Sequence, residues 1–498
     1  MDRWTHKEGL RAQLAKEQGT LFKDAPLRVA LCYPSPYSVG MSSLGFQAIY
    51  REIHEHPGAT AERAFLPDDL EAHKNGGCEL LTLETQSPVS QASIVAFSVA
   101  YELEIAGLFE VLTLAGIPLL REQRGPGQPL VVAGGPLTFS NPAPLEPFVD
   151  LIVLGEADET IHQLLEAART CGTKEAVLAA LAGKQGFHVP AAGKPMPALG
   201  CAADERLPAR SQILTPDTEL SSMFLVEAER GCSRGCTYCV MRRSTNGGMR
   251  LIPPERVLGA IPEGVRKVGL VGAAVTDHPK LREILAALVD RGLGVGMSSM
   301  RAERLDPELV GLLARAGYKT LTVALDGASK RLRETIDRRT DEKDILRAAE
   351  LAKAGGLKRI KVYMMVGLPT ETDADLDELS RFMRELGAVL PASLGISPFC
   401  AKHHTPLDGA PFEPIPSIER RLAQLQKSLR GKAELRATSV RWAWVEYQLA
   451  QGGPEAGLAA LQAWKDGGGF SAYKRAFRDL ADRAQPRQPE NREGVLPE

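Results

Sequence analysis

The chain has 498 residues, with 60 Lys and Arg against 62 Asp and Glu, and 44% of its residues are hydrophobic. Charge this balanced gives no footprint for a nucleic-acid or anionic-membrane partner, and eight cysteines in such a length form no disulfide framework. The longest apolar runs, such as 111–120, fall short of the ~20 residues a membrane-spanning helix needs, and the charged start MDRWTHKEGLRAQLAKEQ reads as no signal peptide, so a chain of about two to four domains in a reducing cytoplasm is expected.

Residues 1–26 read as a polar helical arm that packs on a later domain or frays. In 27–184, the runs LRVALCYP, AERAFLP (61–67), SIVAFSV (93–99), PLVVAGG (129–135) and DLIVLGE (150–156) predict buried strands. Amphipathic stretches at 43–55, 102–114 and 160–170 predict helices between them. Such alternation predicts a doubly wound, Rossmann-like parallel α/β sheet. Ligands of these sheets bind beyond the carboxyl ends of the strands. Here those ends are SPYSVGMSSLG (35–45), SVAYE (98–102), GGPLTFSNP (134–142) and GEADE (155–159), small and polar enough for a large planar ligand to approach the backbone.

Residues 185–222 are rich in proline and weakly periodic, the mark of a linker that lies along both domains. Residues 223–400 hold six strand candidates, at 224–229, 267–275, 294–300, 320–326, 359–367 and 393–399, separated by amphipathic helices. Six βα units predict a partial (β/α)6 barrel with its chemistry at the C-terminal strand ends. Residues 401–482 read as a small helical region, with helices at 418–429 and 442–451, and 483–498 as a disordered tail of Arg, Pro and Glu.

The stretch that follows the first barrel strand, EAERGCSRGCTYCVMRRSTNGGMR (227–250), sets Cys232, Cys236 and Cys239 at C-x3-C-x2-C. Three thiols this close converge on one inorganic centre. A structural zinc site wants four protein ligands, and a four-iron cluster is usually held by four thiolates. Three thiols leave either a zinc knuckle with a distant fourth ligand or a cluster with one iron open to a small molecule. Cys32, Cys78, Cys171, Cys201 and Cys400 lack metal-type spacing, and most of them read as small buried hydrophobes. His403 and His404, after the last barrel strand, are candidate general acids or bases, or loop caps.

The cysteine spacing, with Tyr238 before the third thiol, resembles the signature of the radical S-adenosylmethionine (SAM) superfamily. YPSPYSVGMSSLGFQAIY, ERAFLPD, LGEADE, RGCSRGCTYC, SSMRAERL, VGLPTETDADL, ISPFCAKHHTPL and WVEYQLAQGG are similar to its cobalamin-binding branch, nearest to uncharacterised members. The resemblance implies a [4Fe–4S] cluster on Cys232, Cys236 and Cys239, whose open iron binds the amino and carboxylate groups of SAM. An electron from the cluster then cleaves SAM to a 5′-deoxyadenosyl radical. It implies SAM contacts at Tyr238, Gly272, Ser298, Ser299, Arg301, Asp326 and Gly367, although the family's GGE-like turn at Gly272 lacks its Glu in this chain.

It also implies a cobalamin between the two domains, held by Tyr37, Gly40, Ser42, Ser43, Leu44, Gly45, Ser98, Tyr101, Gly134, Gly135, Pro136, Gly155 and Glu156. Ser35, Pro36 and Tyr37 stand where many such domains carry D-x-H-x-x-G, so the cobalt receives no His from the protein. The expected activity is methylation of an unactivated carbon of a small-molecule substrate, with electrons from a flavodoxin or ferredoxin. A radical cyclase or rearrangement enzyme, a methylthiotransferase, and a non-catalytic cobalamin or SAM sensor are the alternatives. No membrane or nucleic-acid partner is expected.

Overall fold

A computed structural model describes residues 3–242 and 248–484, so the expected tail at 483–498 lies outside the described residues apart from its first two positions. Five parallel strands, β1 (Leu27–Pro36), β2 (Ala59–Leu66), β3 (Ile94–Ser98), β4 (Leu130–Gly134) and β5 (Leu151–Val153), form a sheet in the order β2-β1-β3-β4-β5. A short β6 (Phe187–His188) adds antiparallel at the β5 edge. The strands are apolar on both faces because helices cover both. The helices Leu44–Glu55 and Thr160–Thr170 close one face. Glu104–Leu114 closes the other, together with Val440–Gln451, Pro454–Lys465 and Phe470–Ala484 from the far end of the chain. The C-terminal helices therefore complete a layer of the first sheet. Gly457 is the point of closest approach, where a Cβ would run into the Pro144 carbonyl.

The barrel consists of two sheets. The first is β7 (Phe224–Glu227), β10 (Lys267–Val271) and β11 (Gly294–Met297). The second is β12 (Thr320–Asp326), β13 (Arg359–Val366), β14 (Ala392–Pro398) and β15 (Ala433–Ala437). A backbone hydrogen bond from Met300 N to Thr322 O at 2.7 Å joins them. The expected single run 224–229 breaks at Ala228. Glu229–Gly231 (β8) turns away to pair antiparallel with Met249–Leu251 (β9), making a hairpin that carries the cysteine loop. The strand β15 falls inside the region expected to be helical. It is an exposed edge strand with alternating charges, Glu434 and Arg436, which hides it from a reading of apolar runs. No described helix is long and apolar enough to cross a membrane.

The N-terminal arm is helical only over Arg3–Leu14. Beyond it the chain is extended, and Gln18 and Leu214 exchange backbone hydrogen bonds at 2.9 Å. Glu17 enters the core of the first domain, where its carboxylate accepts two bonds from Arg63 at 2.8 and 2.6 Å. Glu84 accepts from Arg63 Nε at 2.7 Å, and Tyr37 donates to Glu17 at 2.6 Å. The side chain of Arg63 is 0% exposed, and burial pushes the Glu84 carboxyl upward. The segment 185–222 lies against both domains, since the Gln47 side chain accepts from the amides of Gln212 and Ile213 at 3.0 Å, and Ser211 N donates to Leu225 O at 2.8 Å.

Removing one member of a buried charge group strands the others without water. Arg63→Met is expected to lower unfolding free energy by about 3–5 kcal/mol, read as a shift of the urea midpoint. Breaking an exposed pair such as Arg359–Glu434 should leave the urea midpoint almost unmoved.

Candidate active site

Cys236 is buried, and Cys232 and Cys239 are half-buried. The loop is tied down at each step. Cys239 N donates to Cys236 O at 3.2 Å, Thr237 N donates to Ile336 O at 3.1 Å, and Thr237 O accepts from Leu407 N at 3.2 Å. Tyr238 donates to Asp326 at 2.7 Å, and Arg338 Nε lies 3.0 Å from the same carboxylate. Arg301 Nη2 lies 3.4 Å from Cys232 Sγ, and Arg301 Nε pairs with Asp277 at 2.8 Å. Burial and the neighbouring thiols push the Cys239 thiol up.

Among the described residues, the trio of metal-ligand atoms lying within 4.8 Å of one another is Glu52, Glu55 and His162, not the three thiols. Three sulfurs on one zinc at ~2.3 Å would stand about 3.8 Å apart. The three sulfurs do not all lie so close to one another, and Arg301 donates toward Cys232. Hydrogen bonds to sulfur suit an iron–sulfur cluster.

The expected SAM positions divide. Ser298 Oγ donates to Gly272 O at 3.2 Å, which joins the ends of β10 and β11, and Ser299 is half-buried beside it. Arg301 is not a free cation, because Asp277 and Cys232 hold it. Asp326, at φ 64°, is engaged by Tyr238 and Arg338 through one carboxylate oxygen, so it also positions the ring before Cys239. Gly367 is buried, and its amide donates to Glu371 at 2.6 Å.

Two carboxylates escaped the sequence reading. Asp277, with a side chain 4% exposed, gathers Arg301, Arg304 at 3.1 Å and Ser233 at 3.2 Å. Glu229, 1% exposed, accepts from Ala274 N at 2.7 Å and occupies the space beside Gly272. A carboxylate therefore does stand at the turn that lacks its Glu, supplied by β8. Burial raises it to about 7. The signal for it was the neighbouring motif itself, EAERGC.

Of the expected cobalamin positions, several are structural. Tyr37 is buried on Phe65 and bonded to Glu17. Gly40 is a packing glycine, with Phe65 2.6 Å from where its Cβ would stand. Ser42 donates to Ser38 O at 2.7 Å, and Ser43 caps the helix Leu44–Glu55. Leu44 packs with Leu225 of the barrel. Gly155, at φ 88°, is covered by Gly200 of the linker. Glu156 is an ion-pair hub. Gly45, Tyr101 and Pro136 are exposed, while Ser98, Gly134 and Gly135 are half-buried at the ends of β3 and β4. His54 bonds to Tyr50 O at 3.0 Å and His56 caps its helix, so neither reaches these ends. His403 Nδ1 lies 2.8 Å from Asp408, and His404 is exposed at φ 65°.

Glu156, just past β5, accepts from Arg250 Nη2 at 2.5 Å through both oxygens and from Arg230 at 3.3 Å. Arg230 and Arg250 are register partners in the β8–β9 hairpin. Asp158 and Glu227 complete the grip on Arg230 at 3.2 and 2.8 Å. One carboxylate of the first domain thus holds both legs of the hairpin that launches the cysteine loop.

Glu156→Gln should lower thermal stability modestly, by ~1–3 kcal/mol. It should also speed iron release from the reconstituted protein to a chelator severalfold, followed by loss of cluster absorbance. Glu371, buried beside Arg421 at 3.2 Å, is raised to about 7, chiefly by burial. Its folded form keeps a proton that the unfolded form gives up, so its contribution to stability is fullest below the ordinary carboxylate range and is lost as pH rises to about 7. Wild type should therefore lose ~1–3 kcal/mol relative to Glu371→Gln between pH 5 and pH 8, measured by urea unfolding at each pH.

Residues 45–190 match the family described as radical SAM proteins, N-terminal, and residues 226–383 match the radical SAM superfamily. An uncharacterized protein of Methanocaldococcus jannaschii is 26% identical over 81% of this chain and 83% of its own. The ribosomal protein uS12 methylthiotransferase of Chlorobium phaeobacteroides is 27% identical over 42% of this chain and 50% of its own. The cobalamin-dependent S-adenosylmethionine radical enzyme OxsB, solved with aqua-cobalamin, shares the fold with a TM-score of 0.52 at 15% identity, over 74% of this chain and 53% of that one. The chain spans about half the length of these last two proteins. Both halves of the fold match radical SAM families and three thiols stand at the barrel mouth, so the chain belongs to the radical SAM superfamily, an enzyme family that implies a [4Fe–4S] cluster and SAM.

Proposed function

We propose that the protein methylates an unactivated carbon of a small-molecule substrate, using SAM and cobalamin. The observation that supports this most is that the strand ends of the first sheet are tied to the cysteine loop. Glu156, after β5, grips both legs of the loop hairpin. Glu102, after β3, pairs at 2.7 Å with Lys402, in the segment whose Leu407 bonds to Thr237 between two of the cysteines. Exposed Tyr101 and Pro136 and the left-handed Gly135 border that junction, where a corrin ring would lie. The likeness in fold to a cobalamin-dependent enzyme supports the same reading.

When bound, the cluster and SAM supply a reductive cleavage that makes a hydrogen-abstracting radical, and cobalamin supplies a transferable methyl group. The chain's own residues do the positioning. Cys232, Cys236 and Cys239 hold the cluster. Asp277 aims Arg301 at Cys232, and Asp326 locks the Tyr238 ring beside Cys239. Asp408 orients the His403 ring through its Nδ1.

Protein reconstituted without oxygen and supplied with a low-potential reductant should retain cobalamin. It should convert SAM to both 5′-deoxyadenosine and S-adenosylhomocysteine. 5′-Deoxyadenosine alone, with no retained cobalamin, would point to radical cyclisation or rearrangement. Methylthio transfer is a second reading, supported by the sequence likeness to a methylthiotransferase. Iron near one cluster per chain counts against it, and Cys32, buried in β1, is poorly placed to hold a second cluster.

A further inference from the structure

Alternation along each barrel strand sends one set of side chains to the helices and the other into the hollow. In the first half of the barrel that hollow is filled. Gly269 and Gly296 leave room that Met223 takes, its sulfur 2.9 Å from where a Cβ on Gly269 would stand. Leu44 and Ala48 of the first domain pack with Leu225 over the same spot.

The second half is built from the same alternation and left open. On β13, Ile360, Val362, Met364 and Val366 bury against the helices, while Lys361, Tyr363 and Met365 face the other way. Tyr363 is 42% exposed although β13 has a strand on each side. Its register neighbours are Ala324 on β12 and Gly395 on β14, too small to cover the ring. A Cβ on Gly395 would stand 3.1 Å from the ring. Lys361 Nζ lies 4.5 Å from the centroid of that ring and donates to its hydroxyl at 3.0 Å. Among the described residues, no carboxylate lies within ion-pair distance of Lys361.

An ammonium whose partner is the Tyr363 hydroxyl still lacks a counter-ion. An uncovered ring beside it offers a flat face for stacking. We propose that Lys361 and Tyr363 form the floor of the substrate site, for a substrate that carries a carboxylate or phosphate on a planar or apolar body. Lys361 lies about 16 Å below the β13 end at ~3.3 Å per residue, so the anion sits deep in the hollow and the reacting carbon nearer the mouth. This assignment rests on the radical SAM reading for what happens at the mouth, but binding at the floor needs no cluster.

The test is calorimetric titration of the full chain without cluster, using benzoate, phenyl phosphate and neutral benzamide as probes. Benzoate or phenyl phosphate should bind at least tenfold more tightly than benzamide, and the stronger of the two identifies the anion. Lys361→Met should remove that preference, Lys361→Arg should keep affinity within about threefold, and Tyr363→Ala should weaken binding of both anions, with thermal unfolding reporting intact folds. Equal affinity for the anions and benzamide, or a preference unchanged in Lys361→Met, overturns the assignment. Reconstituted wild type is assayed separately for reductive SAM cleavage. If that fails while the anions still bind through Lys361, the mouth chemistry is at fault and the floor stands.

Discussion

The first domain and the barrel keep separate cores, and the carboxylate of Glu156 ties one to the cysteine loop of the other, whose geometry depends on what it holds. Arg230 and Arg250 stand side by side in the β8–β9 hairpin, and like charges so placed repel. Glu156 between them, helped by Asp158 and Glu227, turns that repulsion into a clamp. The group is largely buried, so each contact is stronger than on a surface, and each missing partner costs more. The hairpin is short and could not hold its own shape in water. Its stability is borrowed from the first domain.

The clamp also explains the order of the molecule. The strands of both sheets run parallel, so loops gather at their carboxyl ends, and the ion pairs at Glu156 and Glu102 bring the two sets of loops together. The C-terminal helices reinforce this by packing on the first sheet, closing the chain on itself after the barrel. Within the barrel, small residues decide what is filled and what is free. Gly269 and Gly296 admit Met223, whereas Ala324 and Gly395 leave Tyr363 uncovered.

Much of the fold was legible along the chain. The barrel strand at Thr320–Asp326 and the helix Thr160–Thr170 fall where apolar periodicity sets them. The charged edge strand Ala433–Ala437 did not, since one partner strand is enough to hold it and nothing forces it to be apolar. The candidate site was legible in part. The cysteines are near neighbours in sequence, and their chemistry follows from spacing. Asp277, Glu229 and Glu156 are ordinary acids in sequence, and only their surroundings set them apart.

Spacing along the chain was enough to announce the three neighbouring thiols and the two alternating α/β units, because a cysteine motif and an apolar period are each read over a few turns. The tertiary structure alone decided which charges pair. Glu156 reaches Arg250 across 94 residues, Arg301 reaches Cys232 across 69, and Tyr238 reaches Asp326 across 88. With 60 basic and 62 acidic residues, the possible pairings far outnumber those a fold can hold. Burial picks among them, since a charge removed from water must find its partner, and burial is a property of the packed chain.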